Sequence, residues 1–162
     1  MSKPVDNPAR KIDSFDRAIL RILQKDNKTP QRQIAEAVNL SAAAVQRRIA
    51  AMESAGVILR NVALIDPYAI PLTITSVVEV RLHDERVATV DAAKALFRET
   101  PEVQQCYYVT GGISFVLVIV TSDVRAYEAL TRRLFAENDY IESYRSLIAL
   151  DRVKADTSII IP

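Results

Sequence analysis

Two patterns in the 162 residues predict an α+β chain, an N-terminal winged helix-turn-helix followed by a ferredoxin-like βαββαβ sandwich. From Ile12 to Leu59 apolar residues recur three and four apart, the period of helices that bury one face. From Thr73 onward β-branched runs alternate with helical stretches, in the order strand, helix, strand, strand, helix, strand. Between the two patterns lie Pro67 and Pro71, which place a boundary near residues 66 to 71. The expected domains are 12–66 and 72–153.

In the first helix Ile12, Phe15, Ile19, Leu20, Ile22 and Leu23 make one apolar stripe. Asp13 suits its N-cap, and Asp16 its first turn, where the helix dipole favours an anion. It should end near Asp26. A second helix, capped by Thr29 with Pro30 at its first position, turns Ile34, Ala35 and Val38 inward. Asn39 and Leu40 leave room for only a very short turn, and Asn enters the left-handed region more readily than any residue but Gly. Ser41 then caps a third helix that buries Val45, Ile49 and Met52 and ends at Gly56. Small Ala35, turn-tolerant Asn39 and gap-filling Val45 have the spacing a helix-turn-helix needs. Val57 to Ile65 is strand-like and predicts a wing or a strand leading onward.

The sandwich strands are expected at Thr73 to Leu82, Val103 to Val109, Ile113 to Thr121 and Ile141 to Leu150. Helices are expected at Arg86 to Glu99 and Val124 to Asn138. Helices on one side of an antiparallel sheet leave its other face open to a partner.

On the third helix, positions 100° apart turn Ala43, Gln46, Arg47, Ala50 and Ser54 outward when Val45 and Met52 face in. Small Ala43 lets the backbone approach a surface closely, while Gln46 and Arg47 carry the donors that suit adenine and guanine in the major groove of double-stranded DNA. Arg32, Gln33, Ser41 and Arg48 lie near helix N-termini or along the motif edge, where phosphate contacts position a protein. The alternative reading of the arginines is a solvated helix face.

Charge agrees with this division. The formal net charge of +1 is a cancellation between +4 over residues 1–66 and −3 over residues 67–162. The basic half carries the helix-turn-helix, as a nucleic-acid reader needs. A single cysteine, Cys106, and a single histidine, His83, leave no disulfide and no usual zinc ligand set, so neither metal nor cofactor is expected. Cys106 reads as a packed thiol inside an apolar strand, and His83 as a loop residue. No catalytic residue is expected. Apolar runs such as Ile113 to Val120 are too short to cross a membrane, and the N-terminus lacks a signal-peptide core, so a cytoplasmic protein is expected.

The stretches IDSFDRAILRILQKD (12 to 26), NLSAAAVQRRI (39 to 49), MESAGVI (52 to 58) and YVTG (108 to 111) resemble the Lrp/AsnC, or feast/famine, transcriptional regulators, in order and spacing from about Ile12 to Val153. The resemblance implies a winged helix-turn-helix, and a sandwich that dimerises and often assembles into octamers. It implies a small-molecule effector, typically an amino acid, bound between subunits. Carried onto this sequence, the ligand turn is Val109, Thr110, Gly111, Gly112 and Ser114. Here the chain departs from the family, which commonly has acidic residues where Gly112 and Ser114 stand, and usually Gly where Asn39 stands. With only a hydroxyl and backbone groups at the turn, ordinary α-amino acids should bind weakly. Two other readings remain on the same fold: an enzyme resembling tetrapyrrole decarboxylases, and a ligand sensor without DNA binding.

Overall fold

The computed structural model describes residues 10–66, 69–70 and 73–162, so most of the expected boundary at 66 to 71 and the start of the second domain at 72 lie outside the described residues. Two compact units are present: one runs to Leu64 and takes in Ala155–Pro162 as well, and the other is Ile65–Lys154.

The first unit holds α1 (Ser14–Lys25), α2 (Gln31–Val38) and α3 (Ala42–Ser54). Asp13 and Asp16 form a reciprocal capping box, with the Asp16 amide donating to the Asp13 carboxylate at 2.8 Å. Thr29 does not cap α2 as expected. Its hydroxyl donates to the Asp26 carbonyl at 2.8 Å, so it closes the loop after α1, and α2 starts behind Pro30 with no side-chain cap. Asn39 adopts φ 54° and ψ 47°, and the Asn39 and Leu40 amides both turn back to the Ala35 carbonyl. That closure makes the turn tight enough for Ile19, Ile34, Ala35, Val38, Val45 and Met52 to share one core. Among the described residues Val57 to Ile65 forms no β-bridge, and Leu59, Val62, Leu64 and Ile65 are exposed.

The end of the chain returns to α1. Gln24 grips the backbone of Ile159 from both sides, its Nε2 donating to the carbonyl at 3.0 Å and its Oε1 accepting from the amide at 2.8 Å. Three residues earlier on the helix, Arg21 donates to the Ile161 and Pro162 carbonyls at 2.9 to 3.2 Å. Residues three apart lie on one helix face, so the pair holds an extended segment by its main chain.

The second unit holds β1 (Ile74–Leu82), α4 (Val87–Glu99), β2 (Val103–Tyr108), β3 (Phe115–Thr121), α5 (Val124–Thr131) and β4 (Ile141–Ile148). The sheet is antiparallel in the order β2-β3-β1-β4. Alternation sends Val78, Val80, Leu82, Phe115, Leu117 and Ile119 toward Phe97, Leu134 and Phe135 of the helical layer. The last helix is not continuous to Asn138 as expected: it widens after Thr131 into a π-helical turn, Arg132–Ala136. The extra residue lets consecutive Leu134 and Phe135 both enter the core, and the Asn138 side chain donates to the Arg133 and Leu134 carbonyls near the end of the turn. On the opposite sheet face, Tyr107 pairs with Val116 and Leu147 with Val77, and both Tyr107 and Leu147 are about half exposed.

One polar group sits badly in the core. Ser76, paired with Ile119 and Ile148, is fully buried and its hydroxyl has no partner among the described residues. Ser76→Ala should therefore stabilise the protein by about 1 kcal/mol, since an orphaned hydroxyl costs roughly 1 to 3 kcal/mol. Urea unfolding would show it as a higher midpoint at unchanged slope; a lower midpoint would contradict it.

Candidate nucleic-acid interface and ligand turn

Burial of Val45 and Met52 fixes the rotation of α3, and the positions expected to face outward, Ala43, Gln46, Arg47, Ala50 and Ser54, are all exposed. Ser41 caps the helix, its hydroxyl accepting from the Ala44 amide at 3.2 Å. Among the described residues Arg32 makes only a surface pair with Glu36 at 3.4 Å, which leaves it available to a phosphate. Gln33 is exposed and borders a hollow of about 270 Å3 that Ile22 and Ala37 also line.

Arg48 is placed differently from its neighbour. Its guanidinium reaches Asp13 at 2.7 Å and Asp16 at 2.9 Å, and lies 5.4 Å from the centre of the Phe15 ring. Asp16 is 1% exposed and is held from the other side by Arg10 at 3.0 Å. The Asp16 amide and the Arg48 guanidinium hold the Asp13 carboxyl below its usual range, and the two carboxylates push Arg48 up. Using this side chain on a phosphate would strip a partner from a buried charge, which is costly. Arg48 ties α3 to the start of α1.

In the second unit the Val109 to Ser114 connection joins β2 to β3. The Val109 amide donates to the Ser114 carbonyl at 3.0 Å, and Gly111 and Gly112 take φ of +112° and +89°. Both glycines have open space where a Cβ would stand, so the demand for glycine comes from backbone conformation. Ser114 is buried. Its hydroxyl accepts from the Leu82 amide at 3.0 Å and donates to the Glu85 carboxylate at 2.5 Å. The Tyr108 hydroxyl donates to the other Glu85 oxygen at 2.7 Å.

The turn is thus not limited to a hydroxyl and backbone groups: an acid arrives from the loop between β1 and α4. Those two hydroxyls hold the Glu85 carboxyl below its ordinary range, and each oxygen retains acceptor capacity toward a ligand. The 29-residue separation from Ser114 hides this acid from any local motif.

Cys106 also departs from expectation. β2 is one of the two sheet edges, and Cys106 is exposed instead of packed. Burial of part of it and the nearby Arg98 pull its ionisation in opposite directions, and burial wins, raising it. His83 is an exposed loop residue beyond β1, its backbone amide donating to the Tyr140 carbonyl at 3.1 Å. Among the described residues no group of three potential metal ligands is present, and no helix is long and apolar enough to cross a membrane.

Residues 75–159 match the family model of the Lrp/AsnC ligand binding domain, and residues 12–58 match a winged helix-turn-helix DNA-binding model. The chain belongs to the Lrp/AsnC family. Members are DNA-binding transcriptional regulators, and their α+β architecture is the one described above.

An uncharacterized HTH-type transcriptional regulator of Sinorhizobium fredii is 39% identical over 93% of this chain and 89% of its own length. The proline dehydrogenase transcriptional activator of Rhodobacter capsulatus is 32% identical over 91% of this chain and 96% of its own. Two Lrp/AsnC-type structures share the fold. An AsnC family transcriptional regulator from Agrobacterium tumefaciens has TM-score 0.82 and 34% identity, covering 91% of this chain and 96% of its own. A feast or famine regulatory protein of M. tuberculosis complexed with L-methionine has TM-score 0.82 and 30% identity, covering 94% of this chain and all of its own.

Proposed function

We propose that this chain is a transcriptional regulator that reads double-stranded DNA through α3 and responds to a small molecule, an amino acid or related metabolite, bound between subunits of its C-terminal domain. The observation that carries the DNA reading is the outer face of α3, where Gln46 and Arg47 stand exposed beside small Ala43 over a packed inner face. Gln46 and Arg47 read base edges, and Arg32, Gln33 and Ser41 position the motif on phosphates. Arg48 serves the same surface indirectly, by fixing the angle between α3 and α1. Residues 12–66 are the reader and 72–153 the response domain. The partner for the uncovered sheet face is a second copy of the chain, giving a dimer; octamers follow if dimers assemble further. The protein works in the cytoplasm, and no catalytic role is assigned to His83 or Cys106.

The effector contacts Val109, Thr110, Gly111, Gly112 and Ser114, and its ammonium group is received by Glu85, an ionised carboxylate at that turn. A relative of 30% identity complexed with L-methionine makes that amino acid the first probe. Selection of bound genomic DNA tests the regulator reading directly: recovery of a common sequence is expected, and recovery of random fragments would reject it. Calorimetry then tests the effector site. Glu85→Gln should weaken L-methionine about tenfold or more, as one charge-assisted hydrogen bond is lost. Because Glu85 is held below the usual carboxylate range, the wild-type affinity should survive mild acidification and fall only as pH drops through that lowered value. Equal affinity in Glu85→Gln would remove Glu85 from the site.

A further inference from the structure

A cavity of about 420 Å3 lies between α4 and the edge strand β2, on the helical side of the sheet. Its floor is Phe97 and Phe115, both fully buried, with Val103 beside them. Cys106 and Tyr108 of β2 wall it, and Lys94 and Arg98 of α4 stand at its rim, four positions apart and so on one helix face. No acidic side chain lines it.

The two cations are little engaged. Lys94 rests 4.9 Å from the centre of the Tyr108 ring and reaches Asp91 only at 3.7 Å. Arg98 has no hydrogen bond or ion pair among the described residues. An apolar floor under two like charges selects for a particular kind of molecule. Its body must be hydrocarbon or aromatic and its head anionic, because the rim potential is of one sign and the floor offers no polar partner. A planar carboxylate fits Arg98 as a fork, and Lys94 adds a point charge beside it. The volume is within the range of small-molecule sites, of order 300 to 1,000 Å3.

We propose that this cavity is a second small-molecule site, separate from the Gly111–Gly112 turn, and that it takes a small organic monocarboxylate with an apolar body. Tyr108 is the wall between the two, its hydroxyl turned to Glu85 and its ring to the cavity. Every residue that lines the cavity comes from one protomer.

The chain's single thiol reports on it. Cys106 is the only cysteine, is exposed, and stands in the cavity wall. The test is the rate at which neutral N-ethylmaleimide labels the full-length protein at pH 8, with phenylacetate or its uncharged isostere phenylacetamide as probe. Phenylacetate should slow labelling in a saturable way, about tenfold once it exceeds its dissociation constant tenfold, by mass action. Phenylacetamide should give little protection. Arg98→Gln removes a charge that favours the Cys106 thiolate and should itself slow labelling, so protection is read against each variant's own rate without probe; on that scale Arg98→Gln should weaken phenylacetate protection about tenfold or more, and Arg98→Lys should recover part of it.

No protection by phenylacetate, equal protection by the amide, or unchanged protection in Arg98→Gln would each overturn the proposal. Glu85→Gln should leave phenylacetate protection in place, so this result stands or falls apart from the effector site of the turn.

Discussion

Arg48→Ala should destabilise the first unit by about 2 kcal/mol, while Arg47→Ala leaves stability nearly unchanged and instead weakens DNA binding by about 1 to 3 kcal/mol, roughly 5- to 150-fold. The two arginines are consecutive, yet their surroundings are opposite. Arg48 is largely covered and satisfies Asp13 and the buried carboxylate of Asp16. Its removal leaves Asp16 with Arg10, which is why the cost stays below the roughly 3 to 5 kcal/mol of a wholly broken buried pair. Arg47 is exposed and makes no side-chain hydrogen bond or ion pair among the described residues. Thermal unfolding and gel-shift titration of both variants separate the roles. Tight binding retained by Arg47→Ala would reject it as a reader, and an unshifted melting point in Arg48→Ala would reject the clamp.

A second large effect is expected in the sandwich. Phe97 is fully buried and meets Phe115 edge-on at 5.2 Å and Phe135 at 6.3 Å, so it joins β3 to the π-helical turn through α4. Phe97→Ala empties the middle of that contact and should cost about 3 to 5 kcal/mol. Guanidinium unfolding would show a much lower midpoint; a loss under 1 kcal/mol would mean that the neighbours collapse into the gap.

The division into reader and sandwich was legible because it rests on local signals. Val45 and Met52 set the α3 register, Asn39 marked the left-handed turn, and the continuous β-branched run from Phe115 to Thr121 marked a strand. What stayed hidden depends on partners far along the chain. An apolar run does not show whether its strand is central or at an edge, so Cys106 was placed inside. Arg47 and Arg48 are the same residue type, and only the approach of Asp13 and Asp16 from α1 distinguishes them. Glu85 belongs to no motif near the glycine turn. The π-helical turn follows from two adjacent large residues both needing burial, a packing demand that periodicity averages away.

The grip of Arg21 and Gln24 on the end of the chain has a consequence for how the reader comes into being. These contacts join positions 135 to 141 residues apart. The helical core of the reader is complete soon after its own residues are made, but α1 acquires its last contacts only once the whole sandwich has been synthesised. A fragment cut at the sequence boundary near residue 66 would therefore be a folded reader with one helix face left bare.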